Sequence, residues 1–231
     1  MCAFWTLSAQ ALVSTLSPVQ QYLHQKRIEL RSGSLFEQLA AIKGMVETGN
    51  SIVIPELAAC LSNPEVYDIA QTAMWAIWMQ HPDPELSDLM MEGCSLMSSP
   101  SGGEKAFMCF QALIDKDPGF AEAYNKRATM LYIMRKYEAS VGDCKQALRL
   151  EPYHFGAASG MGLCYVMLDR KAEAVEAFET ALSINPGLTS ISSMLGRLKA
   201  KYAAQQREQM GSMSANEGNS STSGAEEKDK E

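Results

Sequence analysis

From Leu35 to Tyr202 the apolar residues fall at intervals of three and four, the spacing that lines up one face of an α-helix. Leu35, Phe36, Leu39, Ile42, Met45 and Val46 make one such face, and Gly49-Asn50 is a stop signal behind it. Ile54 to Leu61 reads as a short second helix, with Asn63-Pro64 as the cap and first position of a third. That third helix carries Val66, Ile69, Ala73, Trp75, Ile77 and Trp78 around most of its circumference, which predicts burial between neighbours. Asp83-Pro84 repeats the cap signal and opens a helix running to Met97.

Beyond that point the pattern acquires a longer period. Pro118, Pro152 and Pro186 stand 34 residues apart, each preceded by Asp, Asn or Glu and each closing two amphipathic stretches. Proline lacks an N–H and disfavours helix in the residue before it, so each one ends a second helix. With Ala121 and Phe155 as first positions, Ala128 aligns with Gly162, Leu131 with Tyr165, Ser140 with Ala174, Cys144 with Phe178, and Ala147-Leu148 with Ala181-Leu182. The small residues let paired helices approach closely while the large ones fill the space between pairs.

These stretches, AEAYNKRATMLYIMRKYEASVGDCKQALRLEP (121–152) and FGAASGMGLCYVMLDRKAEAVEAFETALSINP (155–186), resemble the tetratricopeptide repeat family at nearly every signature place. An earlier copy shows mainly in AFMCFQALIDKD (106–117); Pro100 and the run Ser98, Ser99, Ser101, Gly102, Gly103 put a longer loop where the family has a tight turn. The resemblance implies an all-α fold, a right-handed solenoid with a degenerate repeat at 87–120, repeats at 121–154 and 155–188, and a capping helix at 189–206. Ile191, Leu195, Leu198 and Tyr202 would be the inward face of that cap. The region 33–82, within which Ile54 to Met79 resembles a HEAT-type helix pair, is expected to continue the core at the other end of the 83–206 domain.

The termini read differently. Residues 1–32 begin with a stretch without a formally charged side chain up to Lys26; Ala3 to Leu16 is mildly apolar but falls short of the ~18 to 20 apolar residues of a spanning helix. No basic segment precedes it, as a secretory signal requires. The expectation is a packed or frayed helix, with a membrane-associated or truncated targeting segment as the alternative. Residues 207–231 turn to Gly, Ser, Asn and Glu without apolar periodicity and are expected to be a disordered tail.

Composition narrows the function. A formal charge of −7 argues against nucleic acid as the partner, because phosphate binding needs a concentrated basic surface. The tail carries three basic and six acidic residues, so the body alone is near −4. Six cysteines, Cys2, Cys60, Cys94, Cys109, Cys144 and Cys164, have no CxxC and no histidine at metal spacing, and read as reduced, packed thiols. His24, His81 and His154 lie far apart, His154 in an inter-repeat turn, as a turn or surface residue. Ser101 to Lys105 contains glycines and a lysine without the order of a phosphate loop. No catalytic residues, cofactor or metal are therefore expected, and the chain is read as non-enzymatic.

In this family the concave groove holds ligands at the second, fifth, sixth, ninth, twelfth and thirteenth places of each repeat. By resemblance those are Glu122, Asn125, Lys126, Thr129, Tyr132 and Ile133, then Gly156, Ser159, Gly160, Leu163, Val166 and Met167. The first set is polar and the second small and apolar, a groove for an extended peptide or a partner helix. Structural alternatives stand beside it: Leu163, Val166 and Met167 packed against the terminal helix, Tyr132 as packing, Lys126 as a solvated charge. Gly156 and Gly160 each lower helix stability by about 1 kcal/mol relative to Ala, which points to a close approach by a helix or ligand. Chaperone-binding members clasp a C-terminal carboxylate with Lys and Asn; Asn125 and Lys126 match, whereas Ser159, Gly160 and Leu163 depart, so a carboxylate clamp is not expected. Arg127 stands where the family prefers Leu, its stem packed and its head in water.

The resulting reading is a protein-binding adaptor or scaffold. A permanently buried subunit of a larger complex and a co-chaperone are the alternatives. The style of NKRATMLY and HFGAASGMGLCY resembles small repeat proteins of proteobacteria and plant organelles, which implies a chloroplast assembly or regulatory factor, or else a mitochondrial or cytoplasmic one, with peripheral membrane association as an option. Oligomeric state and partner identity are not encoded in any motif.

Overall fold

A computed structural model describes residues 16–48, 51–99 and 101–220. The expectations for the segment before Leu16, for Gly49-Asn50, for Pro100 and for residues 221–231 lie outside the described residues. Among the described residues the chain is helical throughout, with no strand. In order the helices are α1 (Pro18–Ser32), α2 (Leu35–Glu47), α3 (Ile54–Cys60) behind a single turn of 3-10 helix, α4 (Tyr67–Met79), α5 (Pro84–Met97), α6 (Gly103–Lys116), α7 (Ala121–Ile133), α8 (Tyr137–Leu150), α9 (Phe155–Met167), α10 (Lys171–Ile184) and α11 (Thr189–Ser220).

Local chemistry sets the boundaries. Ser17 and Ser34 each accept the N–H three residues on, while Gln20 and Glu37 reach back to the cap, so α1 and α2 both start on capping boxes. Asp83 Oδ1 accepts the Glu85 N–H at 2.9 Å, and Pro84 opens α5 as expected. Asn63 behaves differently. Its Oδ1 takes the Glu65 N–H at 3.0 Å and closes a separate turn, and Val66, at φ −119°, stays outside the helix, so α4 begins at Tyr67 rather than at Pro64.

The repeats form three antiparallel pairs, α5/α6, α7/α8 and α9/α10, followed by α11. Ala128, Ser140, Ala147, Gly162, Ala174 and Ala181 are all buried where the helices cross, and Phe110 and Phe178, at the same place two repeats apart, are fully buried. Within each complete repeat the turn is a Schellman motif: Lys136 N donates to Leu131 O at 2.8 Å and Arg170 N to Tyr165 O at 2.9 Å. Arg135 (φ 59°) and Asp169 (φ 55°) hold the left-handed position that glycine usually takes. Between repeats, the residue before each proline caps its own turn. Asp117 Oδ1 accepts from Gly119 N (2.8 Å), Glu151 Oε1 from Tyr153 N (3.2 Å) and Asn185 Oδ1 from Gly187 N (3.0 Å).

Arg127 is a correction to the sequence reading. Its guanidinium forms a fork with Asp143 on α8 at 2.7 and 2.6 Å and also donates to Gln111, so the head is held inside the packing rather than in water. Ile191, Leu195, Leu198 and Tyr202 of α11 turn inward, with Leu195 buried. The helix itself continues past Gln206 to Ser220, through residues expected to lack regular structure; Glu208, Gln209, Met210 and Ala215 are good helix formers and no proline stops them.

The N-terminal helices share a core with the repeats. Ile42, Met45, Ile54, Leu57, Met74 and Ile77 pack in one cluster with Phe155, and Ile184 and Leu188 lie against it. Helix α4 runs along the row of inter-repeat turns. Gln71 Oε1 accepts from Asn185 Nδ2 at 2.9 Å, Trp78 stacks on His154 with ring centres 4.3 Å apart, and His81 Nε2 lies 2.9 Å from Asp117 Oδ2. The seven helical steps from Gln71 to Trp78 advance roughly 10 Å, which is close to the spacing of packed helices.

Candidate functional site

The place where α4 crosses the repeats is built around Glu122, at the second position of α7. Its carboxylate is buried; Oε2 accepts from His154 Nε2 at 2.6 Å and Asn125 Nδ2 at 3.1 Å, and Oε1 forms an ion pair with Lys126 Nζ at 3.1 Å. Burial pushes this carboxyl up, but the bonds and charges of His154 and Lys126 outweigh it and leave the group below its ordinary range. His154 is fully buried, not a surface residue of its turn. Its Nδ1 accepts the Ala157 N–H at 3.1 Å and so caps α9, which leaves Nε2 to carry the proton donated to Glu122.

Trp75 covers this cluster from the α4 side. Its ring meets Trp78, Phe155 and His154 edge-on, with centres 5.2, 5.3 and 5.6 Å away, and Lys126 Nζ lies 5.6 Å from its centre. Its far edge occupies the space beside Gly156: a Cβ there would stand 2.6 Å from Trp75 Cη2. The close approach predicted from this glycine is therefore an intramolecular one. Gly160, one turn on, is open, and a Cβ would find only Cys144 Sγ, at 3.8 Å.

The groove positions thus divide. Glu122 and Asn125 are buried in the chain's own contacts and Lys126 is half-covered. Tyr132, Ser159 and Leu163 are half-buried; Ser159 Oγ donates to Gly156 O at 3.0 Å, and Tyr132 packs edge-on against Tyr137. Thr129, Ile133, Val166 and Met167 are open, the last three exposed by 60, 37 and 51%. Val166 and Met167 are therefore not covered by the terminal helix. Between α7 and α9 lies a cleft of about 100 Å³, walled by Ala128, Tyr132, Gly160 and Leu163 and floored by Ser140 and Cys144. Sequence reasoning missed Trp75 and His154 as parts of this site; the all-round apolar face of α4 and the expense of Gly156 were the signals, but neither names its partner.

Among the described residues no group of three His, Cys, Asp or Glu side chains could hold a metal ion. The described cysteines, Cys60, Cys94, Cys109, Cys144 and Cys164, carry no disulfide, and burial pushes the Cys60 thiol up to about 11 and the Cys144 thiol to about 12. No described helix is long and apolar enough to cross a membrane.

Residues 159–188 match the family model described as Tetratricopeptide repeat. The α9/α10 pair is thus similar to a tetratricopeptide repeat, and the other helix pairs share its fold. A TPR repeat-containing protein of Rhizobium etli is 34% identical over 86 residues, 37% of this chain and 42% of that protein. The chain spans less than half the length of the curated relatives it matches. Two solved tetratricopeptide domains share the fold. The Sgt2 TPR domain from Aspergillus fumigatus has a TM-score of 0.51 at 23% identity, covering 55% of this chain and 84% of that one. The first TPR of Spaghetti (RPAP3), bound to the HSP90 peptide SRMEEVD, has a TM-score of 0.50 at 21% identity, covering 52% and 94%.

Proposed function

We propose that this chain is a non-enzymatic adaptor that holds a protein segment on the concave face of its tetratricopeptide repeats. The observation that carries this reading is the exposure of Ile133, Val166 and Met167, at places that the family resemblance assigns to the groove of both complete repeats. Large apolar side chains left in water on successive repeats mark a face to be covered. The RPAP3 domain, solved with a chaperone peptide in place, supports a peptide as the kind of ligand this fold accepts. A co-chaperone that grips an acidic C-terminus is less well supported, because Asn125 and Lys126 already bind Glu122. Affinity capture with mass spectrometry on the wild type and on the pair Ile133→Glu with Met167→Glu tests it. Proteins retained by the first and lost by the second are expected; identical captured sets would refute the reading.

A second reading, a subunit seated permanently in a larger complex, is favoured by a separate apolar groove. It runs between α2 and α4, about 720 Å³ in volume, lined by Phe36, Leu39, Val46, Ile69 and Ala76, with Phe36 exposed by 81%. Light scattering separates the two, since an adaptor stays a monomer of 25.3 kDa while an orphaned subunit self-associates.

A further inference from the structure

Gly156 and Gly160 stand one turn apart on α9, and the protein uses the two gaps differently. The first is filled by Trp75 from α4. The second opens into the 100 Å³ cleft between α7 and α9, directly beyond that contact. Trp75 therefore shows how this groove receives a side chain, by inserting it where a helix lacks one. The α4 interface ends where the empty gap begins.

The chemistry of the cleft selects what can enter. Ser140 Oγ donates to Ala128 O at 2.7 Å, Thr129 Oγ1 to Asn125 O at 3.0 Å, and Asn125 Nδ2 to Glu122. The two hydroxyls and one N–H of the Asn125 amide are thus committed within the chain, and no charged donor lines the cleft for an anion. Cys144, on the floor, stays a neutral thiol. The rest of the enclosure is Ala128, Leu163 and the ring of Tyr132. Its volume corresponds to about three waters' share of the liquid, enough for one branched aliphatic side chain.

We propose that the cleft over Gly160 is the anchor point of the binding face. It takes one leucine-sized apolar side chain from a partner segment that continues down the groove from Trp75 toward Ile133, Val166 and Met167. The proposal rests on the adaptor reading above and sharpens it: the partner is recognised by an inserted apolar residue, not by a terminal carboxylate.

The test uses the full chain and a phage-displayed library of random dodecapeptides, with selected peptides measured by fluorescence polarisation. Gly160→Leu fills the cleft from within, and it should fold, since the nearest atom outside its own helix is 3.8 Å from the new Cβ and the helix loses a glycine. Gly142→Leu, on α8 with open space around it, is the control. Selected peptides are expected to share one Leu, Ile, Val or Met, to lose at least tenfold in affinity for Gly160→Leu, and to stay within twofold for Gly142→Leu. Recovery of no binder, recovery of binders without a shared apolar residue, or equal affinity for Gly160→Leu overturns the proposal. If Ile133→Glu with Met167→Glu abolishes binding while Gly160→Leu does not, the anchor falls and the groove reading stands. If neither variant changes binding, both fall.

Discussion

Alanine in place of either glycine of α9 should move stability in opposite directions, although the two sites are one helical turn apart. A glycine in a helix is ordinarily less stable than alanine by about 0.5 to 1 kcal/mol, because its unfolded backbone has more freedom to lose. At Gly160 nothing offsets that gain, since the new methyl would touch only Cys144 Sγ at 3.8 Å. At Gly156 the methyl would sit 2.6 and 3.2 Å from Trp75 and 3.2 Å from His154 Cε1. The Trp75 indole is half-buried and held edge-on by Trp78, Phe155 and His154, so making room for the methyl means giving up those contacts. Overpacking of this kind costs about 1 to 3 kcal/mol. Gly156→Ala should therefore be destabilising by roughly 0.5 to 2 kcal/mol after its propensity gain, and Gly160→Ala stabilising by up to about 1 kcal/mol. Urea titrations followed by far-UV circular dichroism give the sign, and tryptophan emission reports whether Trp75 has moved. In a Trp75→Phe background the penalty at Gly156 should shrink, a coupling readable from the double-mutant cycle. Equal stabilisation by both alanines would refute the account, because it would mean that Trp75 does not occupy the space beside Gly156.

Four further outcomes follow from the buried polar groups and the turns. Glu122 is held below its ordinary 4.5 in the fold, so it contributes stability above that value that is lost as the pH falls through the folded one. Glu122→Gln should then be destabilising by about 3 kcal/mol at neutral pH, with the difference from wild type closing in acid unfolding curves. Glu151 has the opposite sign: burial raises its carboxyl, so the ionised form is penalised as pH rises, and Glu151→Gln should melt higher than wild type at neutral pH and not in acid. Arg127→Leu leaves the Asp143 carboxylate buried without its partner and should cost about 3 kcal/mol, most of it recovered when Asp143→Leu is added, as measured by denaturant midpoints. Arg135→Gly and Asp169→Gly relieve a left-handed backbone and should each raise the melting temperature slightly, by the equivalent of up to about 1 kcal/mol.

The repeat was legible because it is local. Pro118, Pro152 and Pro186 end helices through their own rings, the residue before each closes the next turn through its own side chain, and Ala128, Ser140 and Ala174 are small wherever the chain is read. Such features act over a few residues and recur with the period. The first pair of helices was legible in part, through Asp83-Pro84 and the apolar face of α6, despite its longer loop.

The site was legible as positions and not as contacts. Places numbered from a repeat put Glu122, Asn125 and Lys126 on one face of α7 with Ile133, as the period of the helix requires. Which of them meet water depended on α4, more than 40 residues earlier in the chain. The all-round apolarity of α4 foretold that it would be buried, but a helix that is apolar on every side is compatible with many neighbours. Packing chose one: Trp75 fits only beside a residue without a side chain, and Gly156 is that residue. With it, His154 passed from a turn into the core, bonded to Glu122, and the polar half of the groove became interior. The sequence by itself determined the solenoid, its period and its stops, since these depend on backbone chemistry within single helices and turns. Only the tertiary structure decided that the groove is half-filled by its own chain and open over Gly160, because shape complementarity between distant helices is not a property of either helix alone.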